Sequence, residues 1–310
     1  MISVVVPAKN EEGSIDILYG EIIQIFKKIK EGFEIIFVDD GSTDNTRTHM
    51  SSLASRDKGV RVVVLRGNWG KSTALQTGLD ASCGNTIITM DADLQDNPKD
   101  IPNFIEKINQ GYDLVVGWKK KRQDSFKTVL PSKILNNLLI PLLTGVRLHD
   151  NNCGFKAFKR RVLKDLYLYG ELYRFIPILV SKENYTICEI EVTHRKRRYG
   201  QSKYNWRKNI KGFLDLITIV FLTGYIRRPG HFFGTAGLIS FFFGFLIGCY
   251  ITYLRITTGS IQYRQPLLIL GILLMLIGIQ LITTGLLAEM LTYHNRKNTS
   301  SEKFIDKFIN

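Results

Sequence analysis

Two stretches of this chain contain no charged residue, Phe232 to Leu254 and Pro266 to Ala288. Each exceeds the roughly 18–20 apolar residues that a helix needs to cross a bilayer. Two adjacent runs of this length are rare in soluble folds, so the pair reads as two membrane spans rather than as buried core helices. Both carry glycine, which membrane helices tolerate. The connector, Arg255 to Gln265, has only Arg255 and Arg264 as basic residues, and the other lysines and arginines lie before the first run or after the second. The positive-inside rule then puts both termini in the cytoplasm and the connector outside. The chain starts Met1-Ile2-Ser3 directly on a strand pattern, which argues against a signal peptide.

Up to about Arg228 the pattern changes to that of a soluble α/β protein. Ile2 to Pro7, Glu34 to Val38, Val60 to Leu65, Ile87 to Met90, Tyr112 to Gly117 and Ile187 to Val192 read as strands. Between them, Ser14 is expected to cap a helix running to about Lys30, with Ile15, Leu18, Ile22, Ile25, Phe26 and Ile29 on one face. Asp44 is expected to cap a second helix, and Ser72 to Ser82 forms a third. Alternating strands and helices predict a doubly wound, mostly parallel sheet.

Every one of the first four strands ends in polar chemistry. Asn10 and Glu11 follow the first, Asp39 and Asp40 the second, Gly70 and Lys71 the third, Asp91 and Asp93 the fourth. Ligands of open α/β sheets bind beyond the carboxyl ends of the strands. Residues two apart in extended chain point the same way, so Asp91 and Asp93 face one space. Two hard oxygen ligands suit Mg²⁺ or Mn²⁺ with a diphosphate completing the shell. An isolated Asp-x-Asp is more often a pair of loop acids. Acids together with a lysine at one sheet edge have no structural purpose, but they serve a nucleotide. No Gly-x-Gly-x-x-Gly follows the first strand and no Walker loop occurs, which removes the dinucleotide and P-loop readings.

Four segments together resemble family 2 glycosyltransferases of the GT-A fold. They are Val6-Pro7-Ala8-Lys9-Asn10-Glu11-Glu12, Val38-Asp39-Asp40-Gly41-Ser42-Thr43-Asp44, Asn68-Trp69-Gly70-Lys71-Ser72-Thr73-Ala74-Leu75 and Met90-Asp91-Ala92-Asp93-Leu94-Gln95-Asp96. The Leu-Gln after the Asp-x-Asp is similar to the polyprenyl-phosphate branch, which includes dolichyl-phosphate mannose synthases and bactoprenol glucosyltransferases. The resemblance implies nucleotide contacts from Pro7, Ala8, Asn10, Glu11, Asp39, Asp40, Gly70, Lys71 and Asp91. It implies a metal, Mg²⁺ or Mn²⁺, on Asp91, Asp93 and Gln95. His149 to Lys156 is similar to the family's Asp-x-x-Ser-Gly-Phe-Arg segment, with Cys153 in place of Ser and Lys156 in place of Arg. Lysine keeps the charge of arginine and loses its two-pronged geometry.

The acceptor is expected further along. Trp118-Lys119-Lys120-Lys121-Arg122 reads as a basic loop. Phe126 to Leu143, with Ser132 and Lys133 among leucines, reads as an amphipathic helix in the membrane interface. Arg197, Gly200, Ser202, Lys203 and Tyr204 resemble the family's Arg-x-x-Gly-x-Ser-Lys-Tyr loop, which closes over the diphosphate. Asp93, Arg197, Lys203 and Ser132 are therefore the expected catalytic residues, and Lys119, Lys121, Arg122, Ser132 and Lys133 the expected acceptor-phosphate ligands. The implied organisation is a catalytic domain at 1–205, an interfacial helix at 206–230, two spans at 231–291 and a cytoplasmic tail at 292–310.

The expected reaction moves a sugar from a nucleotide sugar, UDP-linked in preference to GDP-mannose, onto a polyprenyl phosphate with inversion. A GDP-mannose-dependent synthase and a membrane-tethered nucleotide-binding module stand as the alternatives. The net charge of +14 suits anionic lipid and phosphates, and its crowding toward the spans argues against nucleic acid. A flippase and a downstream glycosyltransferase are implied by the resemblance alone, and the oligomeric state, homo-oligomer included, stays open. Cys83, Cys153, Cys188 and Cys249 show no metal spacing and receive no role.

Overall fold

The amino-terminal part alternates strand with helix because its apolar residues switch between runs and three-to-four spacing. The computed structural model describes residues 1–29, 31–120, 141, 144–195, 229–261 and 263–297, with side chains through Leu291. The chain falls into two units, Met1–Val220 and Phe221–Asn310. The basic loop at Lys121 and Arg122, the helix with Ser132 and Lys133, the Arg197–Lys203 loop, the interfacial helix to 228 and the tail beyond 297 lie outside the described residues.

In the first unit, β1 (Ile2–Ala8) runs through the middle of a seven-stranded sheet. Val4, Val5 and Val6 are wholly buried, which is why its sequence is a continuous apolar run and not an alternation. Helix α1 (Ile15–Ile29) buries Ile15, Leu18, Ile22 and Phe26, and Phe26 stacks on Phe33 at the start of β2 (Phe33–Asp39) with centroids 4.3 Å apart. Ser14 does not cap α1 as expected. Its hydroxyl donates to the Glu11 carbonyl at 2.9 Å and the Glu11 carboxylate at 3.1 Å. Nor is Asp44 the cap of α2 (Thr46–Arg56): that position is Asn45, which makes no side-chain cap bond, and Asp44 one residue earlier accepts the Thr46 N–H on its Oδ1 at 3.0 Å. After β3 (Val60–Val64), helix α3 (Lys71–Ala81) lies close on the sheet. A Cβ at Gly78 would come within 2.4 Å of Val5 Cγ1, so only glycine allows that approach.

The sheet order is β3-β2-β1-β4-β6-β5-β7, with β4 at Thr86–Thr89, β5 at Leu114–Trp118, β6 at Lys156–Lys159 and β7 at Ile187–Glu191. The β1–β2, β1–β4, β2–β3 and β5–β7 pairings are parallel, as the alternation predicts. Sequence reading did not foresee β6, which enters antiparallel between β4 and β5. Helix α4 (Ile101–Asn109) and the short α5 (Ile176–Lys182) complete the elements used below. The chain leaves β1 toward β2 and β3, then returns to place β4 on the opposite side of β1. That reversal is the topological switch point at which such sheets bind ligands. Val5 pairs with Thr89, and the Met90 N–H continues to the Val5 carbonyl at 3.2 Å, so Asp91 leaves β4 level with the end of β1.

The second unit is a pair of helices, α6 (Pro229–Thr258) and α7 (Gln265–Lys297), both long and apolar enough to cross a membrane. At 1.5 Å per residue they are about 45 and 50 Å long. They pack through glycine. A Cβ at Gly237 would lie 2.6 Å from the Gly278 carbonyl oxygen, and one at Gly244 would lie 2.5 Å from that of Gly271. Gly285 approaches Gly230 in the same way, with 3.4 Å to its Cα. Gly230, Gly237 and Gly244 recur every seven residues, as do Gly271, Gly278 and Gly285, which makes one seam along each helix. Small residues let backbones meet where lipid removes the hydrophobic drive for association. Ser240 Oγ donates to the Leu274 carbonyl at 2.9 Å, and Glu289 accepts the Gly230 N–H at 3.0 Å at the start of α6. Phe242, Phe243, Leu276, Leu287 and Met290 point outward and are exposed.

Candidate active site

The loops after β1 and β2 are tied together before either meets a ligand. Asn10 takes a left-handed φ of 56°, its N–H donates to Ser42 Oγ at 3.0 Å, and its Oδ1 accepts the Thr43 N–H at 2.8 Å. The Glu11 N–H donates to Thr46 Oγ1 at 2.8 Å. Asp39 is wholly buried, accepting from the Ser42 N–H at 2.9 Å and from Arg47 Nε at 3.0 Å. Burial pushes its carboxyl up, but the bonds from Ser42 and Arg47 outweigh this and hold it below the usual range. Of the two expected acids after β2, Asp40 is the one that reaches the cavity. Its Oδ1 accepts the Trp69 N–H at 2.7 Å and its Oδ2 the Gly70 N–H at 3.1 Å, which fixes the start of α3.

These loops enclose a cavity of about 210 Å³ lined by Pro7, Ala8, Lys9, Glu11, Asp40, Lys71, Ala74, Asp91, Ala92 and Asp93. It draws on the ends of β1, β2 and β4 and the first turn of α3, so it sits at the switch point. Pro7, Ala8, Glu11, Asp40, Lys71, Asp91 and Asp93 are thus brought together as expected. Asn10, Asp39 and Gly70 support the walls from behind.

Lys71 Nζ lies 2.5 Å from Asp91 Oδ1 and 5.0 Å from the centre of the Tyr173 ring. Burial disfavours both charges, and each charge offsets the other's cost. The Lys71 ammonium is held above its usual pKa and the Asp91 carboxyl below its own. Asp96, 1% exposed, accepts the Asp91 N–H at 3.3 Å and pairs with Lys119 Nζ at 2.8 Å. Lys119, expected on the acceptor phosphate, is instead in an almost buried ion pair beside the Asp-x-Asp segment. Burial lowers its pKa and the nearby Asp96 raises it further, so the net shift is upward. Lys120 is held at 3.1 Å from Glu191.

Leu94, at φ 63°, turns the chain sharply after Asp93, and the Gln95 N–H donates to Asp93 Oδ1 at 3.2 Å. Gln95 orients Asp93 through its backbone N–H, and it is Asp91 and Asp93, not Gln95, that line the cavity. The donor set for a metal is therefore two carboxylates, and among the described residues no cluster of three His, Cys, Asp or Glu side chains exists. That set fits a hard divalent ion taking its remaining ligands from diphosphate and water, and does not fit an all-protein cage. Gly154 supports this fit: a Cβ there would come within 2.7–2.8 Å of the Asp91 carboxylate atoms.

Gly154 is delivered by β6. Its carbonyl accepts from Thr89 Oγ1 at 2.9 Å, and Lys156 pairs with Thr89 across the strands. The turn before it is anchored by Glu189, which accepts the His149 and Asp150 N–H groups at 3.0 Å each, while the His149 ring stacks on Trp118. Asp150, 1% exposed, accepts the Asn152 N–H at 3.2 Å. Cys153 is buried and its thiol is pushed up to about 12 by that burial. Lys156 is also buried, its amine pushed down to about 8 by burial, and it donates to the Cys153 carbonyl. Asp96, Glu189 and Tyr173 were not given roles from sequence. An Asp three residues after the Asp-x-Asp was a usable signal for the first; the other two arrive through tertiary packing alone.

Comparison with known proteins places the fold. Residues 3–167 match the model of glycosyl transferase family 2. Glucosyl-3-phosphoglycerate synthase from Mycobacterium tuberculosis, solved with Mn²⁺ and UDP-glucose, superposes with a TM-score of 0.56 at 24% identity, over 71% of this chain and 79% of that one. The mixed sheet with its polar switch-point edge is thus of the GT-A type. Over nearly its full length, the chain is 38% identical to the dodecaprenyl-phosphate galacturonate synthase of Rhizobium johnstonii, covering 99% of this chain and 92% of that protein. It is 35% identical to an undecaprenyl-phosphate 4-deoxy-4-formamido-L-arabinose transferase of Pseudomonas aeruginosa, covering 94% and 85%. The chain belongs to glycosyl transferase family 2.

Proposed function

We propose that this protein transfers a sugar from a nucleoside-diphosphate sugar, UDP-linked in preference to GDP-linked, to a polyprenyl phosphate at the cytoplasmic face of a membrane. The observation that carries the reading is the convergence of Asp40, Lys71, Asp91 and Asp93 on one cavity at the switch point. The two relatives named above, both polyprenyl-phosphate sugar transferases, support the acceptor class.

A polyprenyl phosphate is ionised at pH 7, so its oxygen can attack without a general base. It forms a bond to the anomeric carbon as the bond from that carbon to the diphosphate breaks, and the nucleoside diphosphate leaves with the electron pair. A single displacement inverts the anomeric centre. Because no proton is transferred, the protein's task is to bring two anions together and stabilise the departing one. Asp91 and Asp93 would hold a divalent ion, which neutralises diphosphate charge. Lys71 holds Asp91 in its charged form and adds positive potential at the cavity. Arg197 and Lys203 are proposed to close over the leaving group, and Lys121, Arg122, Ser132 and Lys133 to receive the acceptor phosphate. Helices α6 and α7 would tether the catalytic unit where a soluble donor meets a membrane-borne acceptor, with both termini cytoplasmic.

The test uses the full chain in detergent with undecaprenyl phosphate, Mg²⁺ or Mn²⁺ and a panel of radiolabelled UDP- and GDP-sugars. Label moving into an organic-extractable, mild-acid-labile lipid is the expected result. Nucleotide binding without transfer from any donor would favour the binding-module alternative.

A further inference from the structure

Leu94 follows the second carboxylate of the Asp-x-Asp pair and holds a left-handed φ of 63°. A leucine in that conformation is strained, so it persists only where its surroundings fix it. The turn it makes is also what aims the two carboxylates. The Gln95 N–H donates to Asp93 Oδ1 at 3.2 Å, and Asp96 Oδ2 accepts the Asp91 N–H at 3.3 Å. Each candidate metal ligand is thus tied to a residue beyond Leu94.

Those residues are held from a distant part of the chain. The segment that follows β7 runs alongside residues 95–97. Asp96 and His194 form an antiparallel bridge, the Arg195 N–H donates to the Gln95 carbonyl at 2.9 Å, and the Thr193 N–H donates to Asp100 Oδ2 at 2.8 Å. The Arg195 guanidinium completes the brace. Its Nη1 lies 2.8 Å from both carboxylate oxygens of Glu21 on α1, and its Nη2 donates to Asn97 Oδ1. Asn97 Oδ1 also accepts the Lys99 N–H at 3.2 Å, so the guanidinium grips a side chain already fixed to its own backbone. Arg195 and Glu21 are both half-buried, and an ion pair that water still reaches adds little to overall stability. What a planar guanidinium adds is direction, with one prong on α1 and another on the turn, a geometry that lysine cannot reproduce. Groups that orient metal ligands in this way govern how tightly the metal is held.

Resting on the metal role proposed above for Asp91 and Asp93, we infer that Arg195, anchored on Glu21, is a positioning residue for that pair. It holds the turn at residues 94–97 so that both carboxylates address one ion.

Titration of the full chain in detergent with Mn²⁺ in the presence of UDP, read by electron paramagnetic resonance, tests this without turnover. Arg195→Met is expected to weaken Mn²⁺ binding about tenfold or more, the scale on which loss of a ligand-orienting group acts. Binding of a fluorescent UDP probe in EDTA should stay close to wild type, because the loops after β1 and β2 are tied to each other and not to this turn. Arg195→Lys keeps the charge opposite Glu21 and loses the second prong, while Glu21→Gln keeps an acceptor and loses the charge. Both should fall between the wild-type protein and Arg195→Met. Wild-type Mn²⁺ affinity in Arg195→Met overturns the inference and leaves the metal reading standing. If Arg195→Met loses metal-free UDP binding as well, the two milder variants decide: weakened Mn²⁺ binding alone upholds the inference, and loss of both or of neither overturns it. Absence of Mn²⁺ binding in the wild-type protein would overturn both the inference and the metal reading.

Discussion

The two units of this chain both depend on glycine at close approaches, and for opposite reasons. In the catalytic unit one glycine, Gly78, lets α3 settle onto Val5 and Val38, and water-driven burial of valine, isoleucine and phenylalanine does the rest. In the helix pair, long and apolar enough to cross a membrane, a whole seam of glycines meets backbone to backbone, the packing that serves helices whose side chains would gain nothing by leaving lipid for one another. Charge is distributed just as unequally. The catalytic unit gathers Asp40, Lys71, Asp91, Asp93, Asp96, Lys119 and Lys156 around one edge of its sheet. Between Gly230 and Ala288 the helix pair carries charge only at Arg255 and Arg264, in or beside the connector. One unit is built to hold charge out of water in fixed places, the other to avoid carrying it.

The largest effect should come from the charged edge. Asp93→Asn removes one of two candidate metal carboxylates with little change in shape, and is expected to lower sugar transfer by about 10³-fold or more. Label transfer to lipid measures it, and near-wild-type turnover with Mg²⁺ would remove Asp93 from the site. Next is a paired test of the glycines. Gly78→Val places methyl groups where Val5 already stands, and overpacking of this kind costs about 1–3 kcal/mol or more. It should weaken or abolish nucleotide binding. Gly244→Val collides with the Gly271 carbonyl and should loosen the helix pair, read as faster proteolysis in detergent, while nucleotide binding persists. Loss of nucleotide binding in both variants would break the division between the units.

Acid should separate the units as well. Glu34, Asp39 and Asp113 all have carboxyl pKa values lowered in the fold, despite burial acting the other way. Asp113 receives Arg161 Nε at 2.8 Å and Nη2 at 3.0 Å. A carboxyl with a depressed folded pKa contributes stability that is present above its unfolded value, about 3.9 for Asp. That contribution disappears as pH falls through the folded value. The melting temperature of the catalytic unit is therefore expected to hold from pH 7 to 5 and to drop below about pH 4. Asp113→Asn should lower stability at pH 7 and flatten the acid slope. A slope unchanged by that substitution would exclude Asp113 as a source of the acid sensitivity.

What the sequence revealed tracks how local the signal was. β1 to β4 announce themselves as apolar runs ending in acids or lysine, and the parallel order on the β3 side follows from chain order with a helix at each crossover. β6 does not: Lys156-Ala157-Phe158-Lys159 is four residues with no long alternation, and only pairing with Thr86 to Thr89 makes it a strand. Lys119 and Lys120 looked alike in a basic run, yet one folds inward onto Asp96 and the other outward onto Glu191. No local pattern distinguishes them, because the difference is made by residues far along the chain. The glycines of the two uncharged runs marked only tolerance of glycine in a span; that Gly237 and Gly244 meet Gly278 and Gly271 emerges only when the two helices are set side by side.

The smallest expected effect sharpens the account of that seam. If backbone contact through glycine holds α6 to α7, the hydrogen bond from Ser240 to the Leu274 carbonyl is an addition to the seam and not its basis. Interhelical hydrogen bonds in membranes average about 0.6 kcal/mol, because the separated helix finds another partner for the same hydroxyl. Ser240→Ala keeps a small residue at the crossing and removes only the donor. Protease resistance of the helix pair in detergent should change less than about twofold to threefold, consistent with that energy, and far less than in Gly244→Val. Equal sensitivity to the two substitutions would mean that polar pairing, and not close packing, holds the helices together.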